Sequence, residues 1–319
     1  MDHNCHLVHH LPPVTPIIGG LFTLLGVPAN IIVLLVGRQA KIKRSTLVYL
    51  LLNLALTDII NLLATETFLI FEITSRPIWG VHLAFVRLIL IPNDVAILTL
   101  ATVAMERYNA LVRTMAPAVA NLNGGKRQYV FIPFMWLFAF AIDLPPILIT
   151  LIHRVSHCDT PDIGHTWETF EHVSRIVSLV VFHAIPLVIY SYCYSKIIKG
   201  VFVDRTVLGG KSFPNAEALN EKKTLVRTTI TVTVVFIISC TSATVGLTVN
   251  SFGKGRDVLP KQFHSLVLLL KCLSSTVNPY LYCLQSRKYR SEVRQLLFAR
   301  KGKSEIFSRK LIKLNKDDC

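Results

Sequence analysis

The chain alternates between long stretches almost free of charge and short stretches dense in it. Seven apolar runs stand out: Ile17 to Gly37, Thr46 to Ile73, Val81 to Val112, Tyr129 to Ile152, Val173 to Ile198, Leu225 to Val249 and Gln262 to Leu284. Each reaches the roughly 20 residues that an α-helix needs to cross hydrocarbon. Backbone polar groups in that medium must be satisfied within the segment, so every run is predicted helical. After Leu284 the period changes. Over Gln285 to Phe298, Tyr289, Val293, Leu296 and Leu297 share one helical face and basic residues the other. That is the pattern of an amphipathic helix lying on a membrane surface. The fold class expected is an all-α membrane protein, a seven-transmembrane helix bundle followed by a short surface helix.

The connections give the orientation. Arg38, Lys41, Lys43 and Arg44 follow the first run, Arg113, Lys126 and Arg127 flank the third connection, and Lys196, Lys199, Arg205, Lys211, Lys222 and Lys223 surround the fifth. A further basic series runs from Arg287 to Lys316, while Asp159, Asp162, Glu168 and Glu171 fall in the alternate loops. Basic loops stay in the cytoplasm, which puts the N-terminus outside and the C-terminus inside. The expected parts are an extracellular segment 1–16, the bundle 17–284, the juxtamembrane helix 285–298 and a polar cytoplasmic tail 299–319.

Composition sharpens this picture. Only 17% of the 319 residues are charged and 52% are hydrophobic, against about 25% charged in a soluble domain. A net charge of +15 would point to nucleic acid in a soluble protein. Here it belongs to the basic loops, so the expected partner is a lipid bilayer and not nucleic acid. The seven cysteines form no CxxC pair. The first 15 residues are polar and rich in His and Pro, so the first helix is expected to serve as an uncleaved anchor. No HExxH, GxSxG or paired catalytic aspartate motif is present, and no enzyme is indicated. An odd helix count without internal repeat argues against a duplicated transporter.

Ionisable residues inside spanning helices cost roughly 2.5–3.5 kcal/mol each on insertion scales, so each needs a reason. Asp58 lies mid-way along the second run, and Glu106 and Arg107 near the inner end of the third. Glu66, Asp94, Asp143 and Lys271 lie in outer or middle parts of their runs.

These residues stand in motifs. The first run holds Gly26-Val27-Pro28-Ala29-Asn30, the second Asn53-Leu54-Ala55-Leu56-Thr57-Asp58, and the third ends in Glu106-Arg107-Tyr108. The fourth carries Trp136, the fifth Pro186 and Tyr194, and the seventh Asn278-Pro279-Tyr280-Leu281-Tyr282. Taken in order, one per run, they resemble the rhodopsin-like (class A) G protein-coupled receptors along nearly the whole chain. The resemblance implies a plasma-membrane receptor that passes an extracellular stimulus to a heterotrimeric G protein, with arrestin and a receptor kinase as further partners. It implies an activation switch of Glu106, Arg107, Tyr108, Tyr194, Asn278, Pro279 and Tyr282, in which Glu106 holds Arg107 when inactive. It also implies a polar cluster of Asn30, Asp58, Ser274 and Ser275 that holds water or a sodium ion, and a core hinge of Ile97, Pro186 and Phe236. No other cofactor is implied.

The chain departs from the family pattern in three places. His82 stands where the family has a cysteine atop the third helix, so Cys158 lacks its usual partner; a Cys5–Cys158 bridge and a free thiol are the alternatives. The sixth run has Cys240 and Ser242 where the family has a tryptophan and a kink proline. Lys222 stands where an acid usually opposes the arginine, from which appreciable constitutive signalling is expected.

The ligand is not named by these residues. Ile89 occupies the position of the amine-binding aspartate, which argues against an amine held in the usual way. Lys271 is one residue away from the position of the family's retinal lysine, a rotation of about 100° on a helix. Glu66, Asn93, Asp94, His183 and Lys271 form the expected ligand pocket. All eleven histidines fall in the outer half. Imidazole titrates near pH 6.5 and binds zinc or copper, so a proton- or metal-sensing receptor using His82 and His157 is one alternative. A non-signalling decoy is another, and a seven-helix transporter or a retinal photoreceptor a remote one.

Overall fold

A computed structural model describes residues 12–38, 46–74, 79–112, 126–156, 164–200, parts of 224–249, 260–285 and 290–296. Regular structure among the described residues is helical, with no strand. The first four helices are α1 (Val14–Gly37), α2 (Thr46–Thr74), α3 (Trp79–Leu111) and α4 (Lys126–Ser156). The fifth rod, α5, runs over Gly164–Leu179, through a π turn at Val180–Ala184, and on over Ile185–Ile198. The described residues between 224 and 249 are helical and form α6. The last long helix is α7 (Lys261–Gln285), and residues 290–296 form the short α8.

The predicted spans other than Leu225 to Val249, only part of which is described, lie within these helices save for Val112, one residue past α3, and the helices are longer. Expected starts at Ile17, Tyr129 and Val173 move back to Val14, Lys126 and Gly164. An apolar run marks the thickness of hydrocarbon, not the length of a helix. The residues from Gly164 to His172 are too polar to extend the run, yet contain no proline to break the helix. Prolines inside α1 (Pro28), α3 (Pro92), α4 (Pro133, Pro145, Pro146) and α7 (Pro279) are carried without ending those helices. Neighbouring helices and side chains satisfy the freed carbonyls in such settings.

Among the described residues, five helices are long and apolar enough to cross a membrane: Val14–Gly37, Thr46–Phe71, Ile89–Ala110, Val130–Ile149 and His172–Ile198. Their outward faces carry large exposed apolar side chains, among them Ile17, Leu24, Val130, Leu137 and Val188. Apolar surface on this scale is a liability in water and matches lipid. α3 is the central rod, with 78% of its apolar window buried against 22% for α1. It packs against α2, α4 and α5, while α1 packs against α2 and α7. One apolar cluster joins Leu54, Ile97, Leu100, Tyr190, Tyr194 and Phe236 across α2, α3, α5 and α6. A second joins Leu50, Val95, Val103, Met135, Ile147 and Phe182.

Close approach of α1 depends on Gly26. A Cβ there would stand 2.6 Å from Leu62 Cδ1, 2.7 Å from Thr276 Oγ1 and 3.2 Å from the backbone Cα of Thr276. Small residues let membrane helices meet at this range, where dispersion and hydrogen bonds, not hydrophobic exclusion, hold them together.

Candidate functional site

Polar side chains turned inward form two layers. The lower layer begins at Asn30, whose Nδ2 donates to Gly26 O and to Ser275 O, each at 3.0 Å, and so ties α1 to α7. Asn278 Nδ2 donates to Asp58 Oδ2 at 2.8 Å, tying α7 to α2, and the Ser275 side chain lies beside the same carboxyl. Ser274 and Pro279 are buried in α7. Asn30 Oδ1 and Asp58 Oδ1 are buried acceptors with no donor among the described residues. Two such oxygens beside serine hydroxyls suit a water or a hard monovalent cation, which take oxygen ligands.

Beside this layer, Asn53 is a junction between three helices. Its Nδ2 donates to Thr99 Oγ1 at 2.7 Å, and its Oδ1 accepts from Trp136 Nε1 at 3.0 Å. Thr99 Oγ1 in turn donates to Val95 O at 2.7 Å. Every polar atom of the amide is thereby used to set α2, α3 and α4 in register.

At the C-terminal end of α3, Glu106, Arg107 and Tyr108 are each partly buried. No ion pair joins Glu106 to Arg107 among the described residues. The guanidinium instead lies within electrostatic reach of the Tyr194 phenol on α5. Tyr194 Oη lies 2.8 Å from Thr233 Oγ1 on α6, either hydroxyl donating. Tyr194 stacks on Tyr190 at 6.4 Å between ring centroids, and Tyr190 Oη donates to Ile97 O at 2.7 Å. Ile97 and Phe236 share the apolar cluster around these rings, and Pro186 is buried one turn before Tyr190. In α6, Ser239 and Ser242 each donate to the carbonyl four residues back, at 2.8 and 2.6 Å. Such back-bonding stands where the family pattern has its kink proline, and it bends helices only slightly.

The upper layer joins α3, α4, α5, α6 and α7. Asp94 is 1% exposed and Asp143 7% exposed, and their carboxyls lie within electrostatic reach of each other. Ser178 Oγ lies 3.5 Å from Asp143 Oδ1, and Asn93 Nδ2 lies 3.5 Å from Asp94 Oδ1. His183 presents Nε2 at 3.9 Å from Asp94 Oδ1 and Nδ1 at 3.5 Å from Thr241 Oγ1. The π turn places Phe182 and His183 side by side in the interior. Lys271 Nζ donates to Ile89 O at 3.1 Å and acts electrostatically on Asp94. Glu66 reaches instead toward α1, where its carboxylate lies against Gly19 and Gly20.

Asn93, Asp94, His183 and Lys271 of the expected pocket thus meet in one layer, and Glu66 faces α1. Asp143, Ser178 and Thr241 were missing from that set. Asp143 carried a signal, an intramembrane carboxylate with no assigned partner, but which residue it faces depends on the rotation of α4 about its axis. Cys5, Cys158, His157, Lys222, Cys240 and Tyr289 lie outside the described residues, as do the side chains of His82 and Tyr282. No group of three or more His, Cys, Asp or Glu able to hold a metal occurs among the described residues.

Comparison with known proteins agrees with this arrangement. A sequence model of the 7 transmembrane receptor (rhodopsin family) matches residues 29–282. Rhodopsin of Sminthopsis crassicaudata is 25% identical over 280 residues, covering 85% of this chain and 78% of its own length. Galanin receptor type 1 of Rattus norvegicus is 26% identical, covering 90% of this chain and 83% of its own. C-C chemokine receptor type 7 of Homo sapiens is 25% identical, covering 88% and 74%.

Proposed function

Because the chain belongs to the rhodopsin family of seven-transmembrane receptors, we propose that it carries an extracellular stimulus across the plasma membrane to a heterotrimeric G protein. It is a multi-pass membrane receptor of the rhodopsin-like class and not an enzyme. The observation that carries the proposal is the placing of Arg107. It sits at the basic end of the central rod, beside a tyrosine that hydrogen-bonds α6. Displacing α6 breaks the bond between Tyr194 and Thr233 and frees the phenol for the guanidinium. The space vacated between α3, α5 and α6 is a groove for one helix of the partner, a common mode of recognition. The lower polar layer is the link from ligand to groove, and Asn30 Oδ1 and Asp58 Oδ1 would hold a sodium ion that steadies it. Arrestin and a receptor kinase would follow at the same face.

The stimulus enters at the upper layer. Its relatives include receptors named for galanin and for C-C chemokines as well as rhodopsins, and these names span more than one stimulus. A retinal reading draws little from the geometry, since the Lys271 amine donates to a backbone carbonyl, that of Ile89.

Topology is the direct test of this arrangement. N-glycosylation tags placed ahead of Val14 should be modified, and tags placed between 113 and 125 should not. Modification of the second set would put Arg107 outside the cell and end the proposal.

A further inference from the structure

The two polar layers are built differently. In the lower part of the bundle, Asn30, Asn53 and Asn278 bond their partners at 2.7–3.0 Å. In the upper layer the contacts around Asp94 are long. Asn93 Nδ2 lies 3.5 Å and His183 Nε2 3.9 Å from Asp94 Oδ1, and His183 Nδ1 lies 3.5 Å from Thr241 Oγ1. A well-made N–H···O bond closes to about 2.9–3.0 Å. Three buried atoms of this group, Asp94 Oδ2, Asn93 Oδ1 and His183 Nε2, have no hydrogen-bond partner among the described residues. Their side chains are 1%, 1% and 6% exposed. Buried polar atoms left unmet are costly, and charged ones more so.

The chemistry of these atoms limits what can meet them. A carboxylate oxygen and an amide oxygen only accept. His183 Nε2 also accepts when the ring proton sits on Nδ1, facing the Thr241 hydroxyl. Three acceptors from α3 and α5 therefore suit one group with several N–H donors. Charge points the same way. Lys271 offsets one of the two carboxylates, Asp94 and Asp143, that lie within electrostatic reach of each other. Its amine donates to Ile89 O at 3.1 Å, and no lysine or arginine forms an ion pair with Asp94 among the described residues. One negative charge is left for a cation. Hard metal ions favour shells of oxygen, and one of the three acceptors is an imidazole nitrogen. Phe182, buried beside His183, makes the surroundings apolar.

We propose that Asp94, Asn93 and His183 bind the protonated primary amine of a small extracellular ligand with an apolar body. Asp94 is five residues along α3 from Ile89, which places it about 7.5 Å deeper and about 140° round the helix. Ile89 meets α7 through Lys271, whereas Asp94 faces α5 through His183. The amine is thus held at a different level and on a different side of α3 from the position that Ile89 occupies. Entry from outside the cell rests on the receptor reading above, whereas the amine contacts rest on the geometry of this layer.

The test uses the full-length protein purified into lipid nanodiscs at neutral pH and constant sodium. Its melting midpoint is followed as probe is added, since a compound that binds the folded state raises it. The probes are hexylamine, phenethylamine, tyramine and tryptamine, each beside its N-acetyl derivative, which keeps the body and loses the charge. At least one amine should raise the midpoint in a saturable way, and its N-acetyl derivative should not. Asp94→Asn keeps the shape of the side chain and removes its charge, and it should weaken that amine roughly tenfold or more. Asn93→Ala should weaken it by a smaller factor, and it decides the matter should Asp94→Asn not fold. A panel in which no amine moves the midpoint, an N-acetyl derivative that does as well as its amine, or an affinity unchanged in the deciding variant overturns the site. Nucleotide exchange plays no part in these readouts. A protein that drives exchange and ignores amines loses this site alone; one that binds amines through Asp94 and drives no exchange loses the receptor reading alone.

Discussion

Asn278 on α7 donates to Asp58 on α2 across 2.8 Å, with both side chains closed off from solvent. This one bond sets the Asn-Pro segment of α7 against the helix that also meets α1 and α3. Asn278→Ala removes the donor and leaves a buried carboxylate oxygen unmet, at a cost of roughly 1–3 kcal/mol. A lowered melting midpoint in detergent checks it. An unchanged midpoint would mean that the bond carries no stability.

The Asn53 junction gives a second test. Trp136→Phe loses the bond from Trp136 Nε1 but keeps an aromatic ring, whereas Asn53→Ala loses the bonds to both Trp136 and Thr99. Interhelical bonds in membranes average about 0.6 kcal/mol and reach about 1.7 kcal/mol. Asn53→Ala should therefore lower thermal stability more than Trp136→Phe, and the double variant should be no worse than the sum of the two.

Two glycines on one helix should behave differently. At Gly26 an added Cβ meets the backbone of Thr276 as well as Leu62, and backbone cannot turn aside. At Gly20 it meets only the end of the Glu66 side chain, at 3.3 Å. Gly26→Ala should reduce the amount of receptor at the cell surface severalfold, and Gly20→Ala should leave it near wild type. Surface labelling measures both.

Tyr194 and Thr233 make opposed predictions for signalling. Thr233→Val frees the phenol and removes a tie on α6, so G protein recruitment without ligand should rise. Tyr194→Phe removes the hydroxyl that Arg107 would meet, so recruitment should fall. Both are read by the same recruitment assay at matched surface amounts. A change in the same direction for both would contradict the role given to the phenol.

Much of this architecture was legible in the chain. Charge-poor runs located the spans because hydrocarbon excludes charge along its whole thickness. Asn30, Asp58 and Asn278 were legible as one cluster because each is an intramembrane polar residue in a motif. Polar continuations such as Gly164 to His172 were not legible as helix, since leaving hydrocarbon removes the apolar signal while the backbone stays helical. Nor was the π turn, which is an extra residue in a helical turn and leaves hydropathy unchanged. Without it, His183 could be placed on α5 but not directed at Asp94. The approach of Asp94 to Asp143 depends on the rotation of two helices about their axes, which side-chain packing decides and residue spacing does not.

Guanine-nucleotide exchange in receptor-bearing membranes, measured over a panel of heterotrimeric G proteins, bears most directly on the account. The prediction is exchange above that of mock membranes for at least one G protein, falling to the mock level in Arg107→Ala at matched surface amounts. Exchange equal to mock with every G protein, or exchange that survives Arg107→Ala in full, would contradict it.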